Sequence, residues 1–242
     1  FMVFFVLALI LIFVVYIRTR NLSLLTDITT GKFGPAYPDA FAFLRYVKTI
    51  VTTGSLPQLD LMRYYPWGYG NMVEFSLLSY MIAYSYQIVH FFVPSITVEL
   101  VDVTYPAFAF VISMIFFFLF VKKIFNWKIG LASTFFVTVI PGYLFRTMTG
   151  VSDKEAMALI FLFASLYYYV CSLKEEKMLK SLIFAGVAGI TTAIMALIWG
   201  GVTFLLLSMG ISMLIMLVLE RAKAKEIYGY ALWYFVFGVI AL

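Results

Sequence analysis

Long uncharged runs alternate with short charged segments along this sequence. Residues 1–17, 103–121, 129–145, 156–173, 181–219 and 227–242 contain no Asp, Glu, Lys or Arg. A helix rises about 1.5 Å per residue, so about 20 apolar residues cross the hydrocarbon core of a bilayer. Most of the runs are near that length. The run 181–219 is the exception: as one helix it would be about 60 Å long, twice the core. It is predicted to fold back at Gly200-Gly201, just after Trp199, because paired glycines break a helix and favour a turn. The pattern therefore predicts about seven membrane-spanning helices. The first and last are read as clipped, since Phe1 is not an initiator methionine and the sequence stops inside an apolar run. No small-residue cleavage site follows the first run, so it is read as an anchor and not as a signal peptide.

Residues 75–98 form a further run that is uncharged apart from His90, but it carries Ser76, Ser79, Tyr80, Tyr84, Ser85, Tyr86 and Gln87. Such polarity suits a helix lying in the membrane interface better than one facing lipid. Glu74 is read as an interface residue at its start. With 75–98 outside the bilayer core, residues 18–102 become one long first external loop with interfacial helices, and the whole of 1–242 becomes a transmembrane domain.

Composition removes the alternatives. The chain is 64% hydrophobic and 12% charged, with a mean hydropathy of +1.02. Ordinary soluble domains are about half apolar and a quarter charged, and disordered chains are more polar still. The single Cys171 excludes an internal disulfide framework or a Cys-rich metal cluster. A net charge of +5 points, in a membrane chain, to lipid headgroups and cytoplasmic loops, and no nucleic-acid partner is expected.

Lys and Arg placement then orients the chain. Lys122, Lys123 and Lys128 share one short loop, Lys174, Lys177 and Lys180 a second, and Arg221, Lys223 and Lys225 a third. Each follows an even-numbered span, so all three belong on the cytoplasmic face. Trp127, Tyr167 to Tyr169, Tyr228, Tyr230 and Trp233 border these loops as an aromatic belt would. Residues 146–155 are then external. The six basic residues within 18–74 pull the other way, but the charge rule weakens in long loops.

Three acids stand out at the external helix starts. Asp39 follows Tyr37-Pro38 and precedes an apolar-periodic stretch closed by Gly54, while Asp153 and Glu155 open the run 156–173. The structural explanation is capping: Asp39 as an N-cap and Ser152-Asp153-Lys154-Glu155 as a capping box. The chemical explanation is that acids from two external loops converge on one hard cation. Carboxylate oxygens suit Mg²⁺ or Mn²⁺, which bind through few protein ligands and complete their shell with phosphate oxygens. Arg146, at the external end of its span, either snorkels to headgroups or holds a phosphate charge. Asn21-Leu22-Ser23 is a glycosylation sequon on the same side.

Residues Pro141 to Glu155, with Arg146, Met148, Gly150, Asp153 and Glu155 in the pattern R-x-M-x-G-x-x-D-x-[D/E/H], resemble the second acidic motif of the oligosaccharyltransferase catalytic subunit. Tyr37-Pro38-Asp39-Ala40-Phe41 resembles the first acidic motif of that family. Asp60 to Gly68 is similar to its Tyr-Tyr-Pro-x-Gly stretch, and Trp199-Gly200-Gly201 matches a recurring turn. The resemblance runs through roughly 36–201, in order, and 141–155 is its specific part.

The resemblance implies an all-α polytopic fold of the C-type glycosyltransferases. It also implies transfer of an oligosaccharide from a polyprenyl or dolichyl phosphate or pyrophosphate to the asparagine of an Asn-x-Ser/Thr sequon. Asp39 would be a metal ligand that engages the acceptor amide, Asp153 a second ligand, and Glu155 would take the place of the motif's second acid. The implied partners are a lipid-linked oligosaccharide, an acceptor polypeptide and membrane lipids, with active-site loops on the external or lumenal face. Neither the family's second large external loop nor its C-terminal soluble domain with Trp-Trp-Asp-x-Gly occurs in these 242 residues. The expectation is accordingly the N-terminal membrane portion of an enzyme whose C-terminal part is missing here. A protein mannosyltransferase would also place acids in its first external loop but lacks the Arg146–Glu155 pattern. A transporter or non-catalytic membrane subunit would leave the acids as helix caps. A transporter should bury acids mid-span, whereas here every acid falls at a helix end or in a loop.

Overall fold

The computed structural model describes residues 2–70 and 76–241. Among these every named element is helical: α1 (Met2–Thr19), a 3₁₀ turn (Leu22–Leu25), α2 (Pro38–Thr53), α3 (Ser76–Phe92), α4 (Val98–Ile124), α5 (Trp127–Val139), α6 (Pro141–Thr147), α7 (Lys154–Lys174), α8 (Met178–Ile198), α9 (Val202–Val218) and α10 (Ala224–Ala241). Glu74 and Phe75 lie outside the described residues. Four helices, beginning at Met2, Val98, Lys154 and Met178, are long and apolar enough to cross a membrane. A fifth span results if the pair α5 and α6 counts as one broken helix. Seven is not reached by length and composition. Helix α9 is apolar but only 17 residues long, and α10 is diluted by Lys225, Glu226 and its tyrosines.

Three breaks follow from local chemistry. Pro141 has no N–H and forces Ile140 into extended backbone, so the uncharged run 129–145 divides into α5 and α6. The turn at Gly200-Gly201 separates α8 from α9, as the paired glycines predict. Gly54, left-handed at φ +84°, closes α2 by donating its N–H to the carbonyl of Ile50.

The chain forms two compact units. One comprises residues 1–11, 111–139 and 158–242. In it Leu7, Ile10, Phe118 and Leu131 make a buried apolar cluster, and Phe117 meets Phe163 edge-on. Helices α8 and α10 pack at Gly189, where any Cβ would lie 2.7 Å from the carbonyl oxygen of Trp233 and 2.8 Å from the Val236 Cβ. Trp233 is fully buried, and its indole N–H donates to the Thr192 hydroxyl at 2.9 Å. The Thr192 hydroxyl lies 3.2 Å from that of Ser165, which joins α7, α8 and α10. Small residues for close approach and hydroxyls for interhelical bonds are what holds helices together when lipid is as apolar as leucine. Trp233 is therefore a packing residue and not part of an aromatic belt.

The three basic loops of this unit meet. The Lys174 ammonium donates to the carbonyls of Lys123 at 2.7 Å and Ile124 at 3.2 Å, the last residues of α4. The Lys225 ammonium donates to the carbonyls of Leu173 and Glu175 at the end of α7. These lysines neutralise orphan carbonyls where the helix dipoles are negative.

The other unit comprises residues 12–110 and 140–157. Ala40, Leu44, Val47 and Ile50 recur at helical spacing and give α2 a buried face. Leu78, Ser79, Ile82 and Ala83 do the same for α3, whose Tyr84, Ile88, Phe91 and Phe92 are exposed. An apolar face turned outward on a short helix suits an interfacial position. The segment between α2 and α3 is pinned by Asp60. Arg45 donates to both of its carboxylate oxygens, and the Met62 N–H reaches Asp60 Oδ1 at 3.0 Å. Arg63 bonds the Tyr46 hydroxyl at 3.0 Å and lies 4.1 Å from the Tyr69 ring, beside the paired backbones of Asp60 and Tyr69.

The Arg45 guanidinium holds the Asp60 carboxyl below its ordinary range. Because Asp60 titrates lower when folded than unfolded, its contribution is complete above about pH 4 and is lost as pH falls through the depressed value. Arg45→Ala should cost this segment about 2 kcal/mol of local stability. Hydrogen exchange at the Asp60 and Tyr69 amides checks this at neutral pH, and undiminished protection would contradict it.

Candidate functional site

The two acidic segments lie in the same unit and meet through backbone and side chain. The Ala36 N–H donates to the Gly150 carbonyl at 2.8 Å. Gly150 has φ +85°, and a Cβ there would come within 2.8 Å of Leu25 and 3.2 Å of Ala36. Glycine is therefore required at this position on both conformational and steric grounds. Beyond it, the Arg146 guanidinium carbon lies 5.7 Å from the Tyr37 ring, while Arg146 Nη1 is 3.5 Å from Glu155 Oε1 and 3.9 Å from Asp153 Oδ2. On the other side of Asp153, the Lys154 ammonium is 5.3 Å from the Phe43 ring. Phe43 stands one helical turn after Asp39, so Asp39 shares a face of α2 with a residue in contact with the second motif. Arg146 and Lys154 together balance Asp153 and Glu155.

Asp39 is not an N-cap, and the capping box expected at Ser152 to Glu155 is absent among the described residues. Helix α2 takes Tyr37 as its N-cap and Pro38 in its first turn, with no side-chain capping bond. Asp39 sits one residue further in, exposed, and has no ion-pair partner among the described residues. The expected capping box at the start of α7 does not form. The Ser152 hydroxyl donates instead to the Asp102 carbonyl at 2.7 Å, and Asp153 Oδ1 accepts the adjacent Lys154 N–H at 2.7 Å.

The loop before α7 is braced from α4 as well. The Gly150 N–H donates to the Val103 carbonyl at 2.8 Å, and the Tyr105 hydroxyl to the Asp153 carbonyl at 2.6 Å. Periodicity alone pointed to none of these supports. Asp102 is fully buried, and its two carboxylate oxygens have no hydrogen-bond partner among the described residues. Its position immediately before an uncharged run was the available signal.

Among the described residues, no three His, Cys, Asp or Glu side chains are gathered closely enough to cage an ion. A cation held here would have to take few protein ligands and complete its shell with phosphate oxygens. Asp153 is buried, Glu155 Oε2 is buried with no hydrogen-bond partner among the described residues, and a cationic side chain already stands within 4.0 Å of both acids.

Fold and site together define an all-helical, multi-pass integral membrane protein with two acidic segments meeting at its loops. The family model described as "Oligosaccharyl transferase STT3, N-terminal" matches residues 3–242, and the chain belongs to that family. It is similar to the dolichyl-diphosphooligosaccharide–protein glycosyltransferase subunit STT3 of Saccharomyces cerevisiae, at 26% identity over 122 residues. Those residues are 50% of this chain and 16% of the yeast protein. The corresponding subunit of Dictyostelium discoideum is 27% identical over 121 residues, again 50% of this chain and 16% of that protein.

Among solved structures, the chain resembles the oligosaccharyltransferase AglB of Archaeoglobus fulgidus in complex with an inhibitory peptide and a dolichol-phosphate. The TM-score is 0.80 at 19% identity, covering 99% of this chain and 29% of that one. The Archaeoglobus enzyme in complex with Zn and sulfate gives a TM-score of 0.80 at 18% identity, covering 97% and 30%. At these identities the likeness is one of fold. The chain spans well under half the length of the relatives it matches.

The sequon residue Asn21 is already engaged. Its Nδ2 donates to the Thr149 carbonyl at 2.8 Å, and its Oδ1 accepts the Thr149 hydroxyl at 2.6 Å. An amide held at both ends is not offered to a glycosyl donor. Peptide mass spectrometry of the natively expressed protein should find Asn21 unmodified, and a glycan on it would refute this placement.

Proposed function

We propose that this chain is the membrane portion of an oligosaccharyltransferase catalytic subunit. The reaction is transfer of an oligosaccharide from a dolichyl or polyprenyl phosphate or pyrophosphate to the asparagine of an Asn-x-Ser/Thr sequon. One observation carries the reading: Arg146 stands between Tyr37 of the first acidic segment and Asp153 and Glu155 of the second. Family membership supports it, as do the lipid phosphate and the peptide in the Archaeoglobus structure.

Asp153 and Glu155, with Asp39 from the other loop, would hold a divalent cation, Mg²⁺ or Mn²⁺. Bound there, such an ion supplies charge neutralisation for the departing lipid phosphate. The rest of the work falls to side chains. An amide nitrogen is a poor nucleophile, and the exposed Asp39 carboxylate can accept its N–H and orient it. Arg146, whose side chain is 47% exposed, offers its guanidinium to the donor phosphate on the solvent side of the acids. The motifs face the external or lumenal side, because α7 opens at the acidic motif and closes at the lysine-rich loop.

In the complete enzyme, assayed with lipid-linked oligosaccharide and a sequon peptide, Asp153→Asn and Asp39→Asn should each lower transfer by about 100-fold or more. Chelation should abolish transfer and Mn²⁺ restore it. Transfer that survives both substitutions would overturn the assignment.

A further inference from the structure

Arg18 stands in the last turn of α1, one residue beyond the uncharged run 1–17 that sequence alone reads as an anchor. A guanidinium near the end of a span normally snorkels to headgroups. This one is fully buried, with its carbon 3.8 Å from the Phe110 ring centroid. Its Nε donates to the Thr147 hydroxyl at 2.8 Å, and that hydroxyl donates onward to the Tyr143 carbonyl at 2.6 Å. The Arg18 carbonyl accepts the Thr149 N–H at 3.0 Å and lies 3.1 Å from the Thr149 hydroxyl, whose single proton points to Asn21 Oδ1 at the shorter 2.6 Å. Asn21, one turn later, closes around Thr149 with the two bonds already described. The end of α1 thus grips Thr147 and Thr149, which immediately follow Arg146 and precede Gly150 and Asp153.

We propose that Arg18 and Asn21 are positioning residues for the second acidic motif, setting the placement of Arg146 and Asp153 through Thr147 and Thr149. This rests on the metal-dependent transferase reading above. A buried charge is costly, and an apolar side chain of similar size would fill the same space. Such a side chain could not donate to Thr147. Asn21, likewise, uses its donor and its acceptor on one residue, which fixes both the backbone and the side chain of Thr149. Groups that orient metal ligands without touching the ion change metal affinity or activity by about 10- to 100-fold when removed.

The test uses the complete enzyme and Mn²⁺ as the probe, with binding read by electron paramagnetic resonance. Catalysis is followed as kcat at saturating donor and acceptor, and folding by thermal denaturation. Asn21→Ala and Thr149→Val should each weaken Mn²⁺ binding about 10-fold. The Mn²⁺ concentration for half-maximal transfer should rise to match, and excess Mn²⁺ should recover much of kcat. The double variant should be no worse than either single one, because both remove the same clasp. Arg18→Lys, which keeps a donor, should retain more Mn²⁺ affinity than Arg18→Met. If the Arg18 variants do not fold, the Asn21 and Thr149 pair decides. Ser23→Ala, which destroys the sequon but leaves Asn21, should behave as wild type. Folded Asn21 and Thr149 variants with wild-type Mn²⁺ affinity and wild-type kcat, or with additive losses, would overturn the proposal. Failure of the metal reading looks different: the wild-type enzyme itself then binds no Mn²⁺ and works under chelation. In that event the coupling between Asn21 and Thr149 in kcat alone decides the positioning role.

Discussion

A bilayer offers no partner to a polar group, so the backbone N–H and carbonyl groups at the ends of these apolar helices must be satisfied within the chain or at its surface. The loop from Thr147 to Asp153 meets that requirement with bonds from three directions: the end of α1 and the turn after it through Arg18 and Asn21, α4 through Asp102, Val103 and Tyr105, and the approach to α2 through Ala36. Remove that satisfaction and the acids of the second motif have no fixed position. The same necessity fixes the basic loops, where Lys174 and Lys225 close the carbonyl ends of α4 and α7.

This division of labour explains why so few charges carry so much of the chemistry. Asp60 is spent on Arg45 and a main-chain turn, and Asp27 accepts from Thr29 and Thr30 in a turn of its own. Asp39 is left exposed at a helix start, and Glu155 keeps one buried oxygen unused among the described residues. Arg146 and Lys154 offset the charge of Asp153 and Glu155.

Much of this was legible in the sequence, for stated reasons. Uncharged runs give helices wherever composition dominates, and Gly54 and Gly200-Gly201 break them where backbone freedom dominates. The motif carried by the family resemblance singled out Arg146, Asp153 and Glu155, and Arg146 lies within 4.0 Å of both acids. What escaped was set by tertiary partners. Ser152 looks like a cap locally but is captured by Asp102 across the fold. Trp233 looks like a belt residue until Thr192 and Gly189 bury it. Asn21 reads as a sequon and Arg18 as one of six basic residues of the long first loop, and only the proximity of Thr147 and Thr149 reassigns both. The broken span at Pro141 was present in the sequence, but an uncharged run conceals it, since hydropathy is blind to a missing N–H.

The central claim is that two loops, far apart in sequence, supply one cation site. Mn²⁺ titration of the complete enzyme, in wild-type, Asp39→Asn and Asp153→Asn forms, tests it by stoichiometry as well as affinity. The account predicts one tightly bound Mn²⁺ per wild-type chain and the loss of that same ion in both variants. An Asp39→Asn enzyme that keeps its Mn²⁺ at wild-type affinity would contradict it.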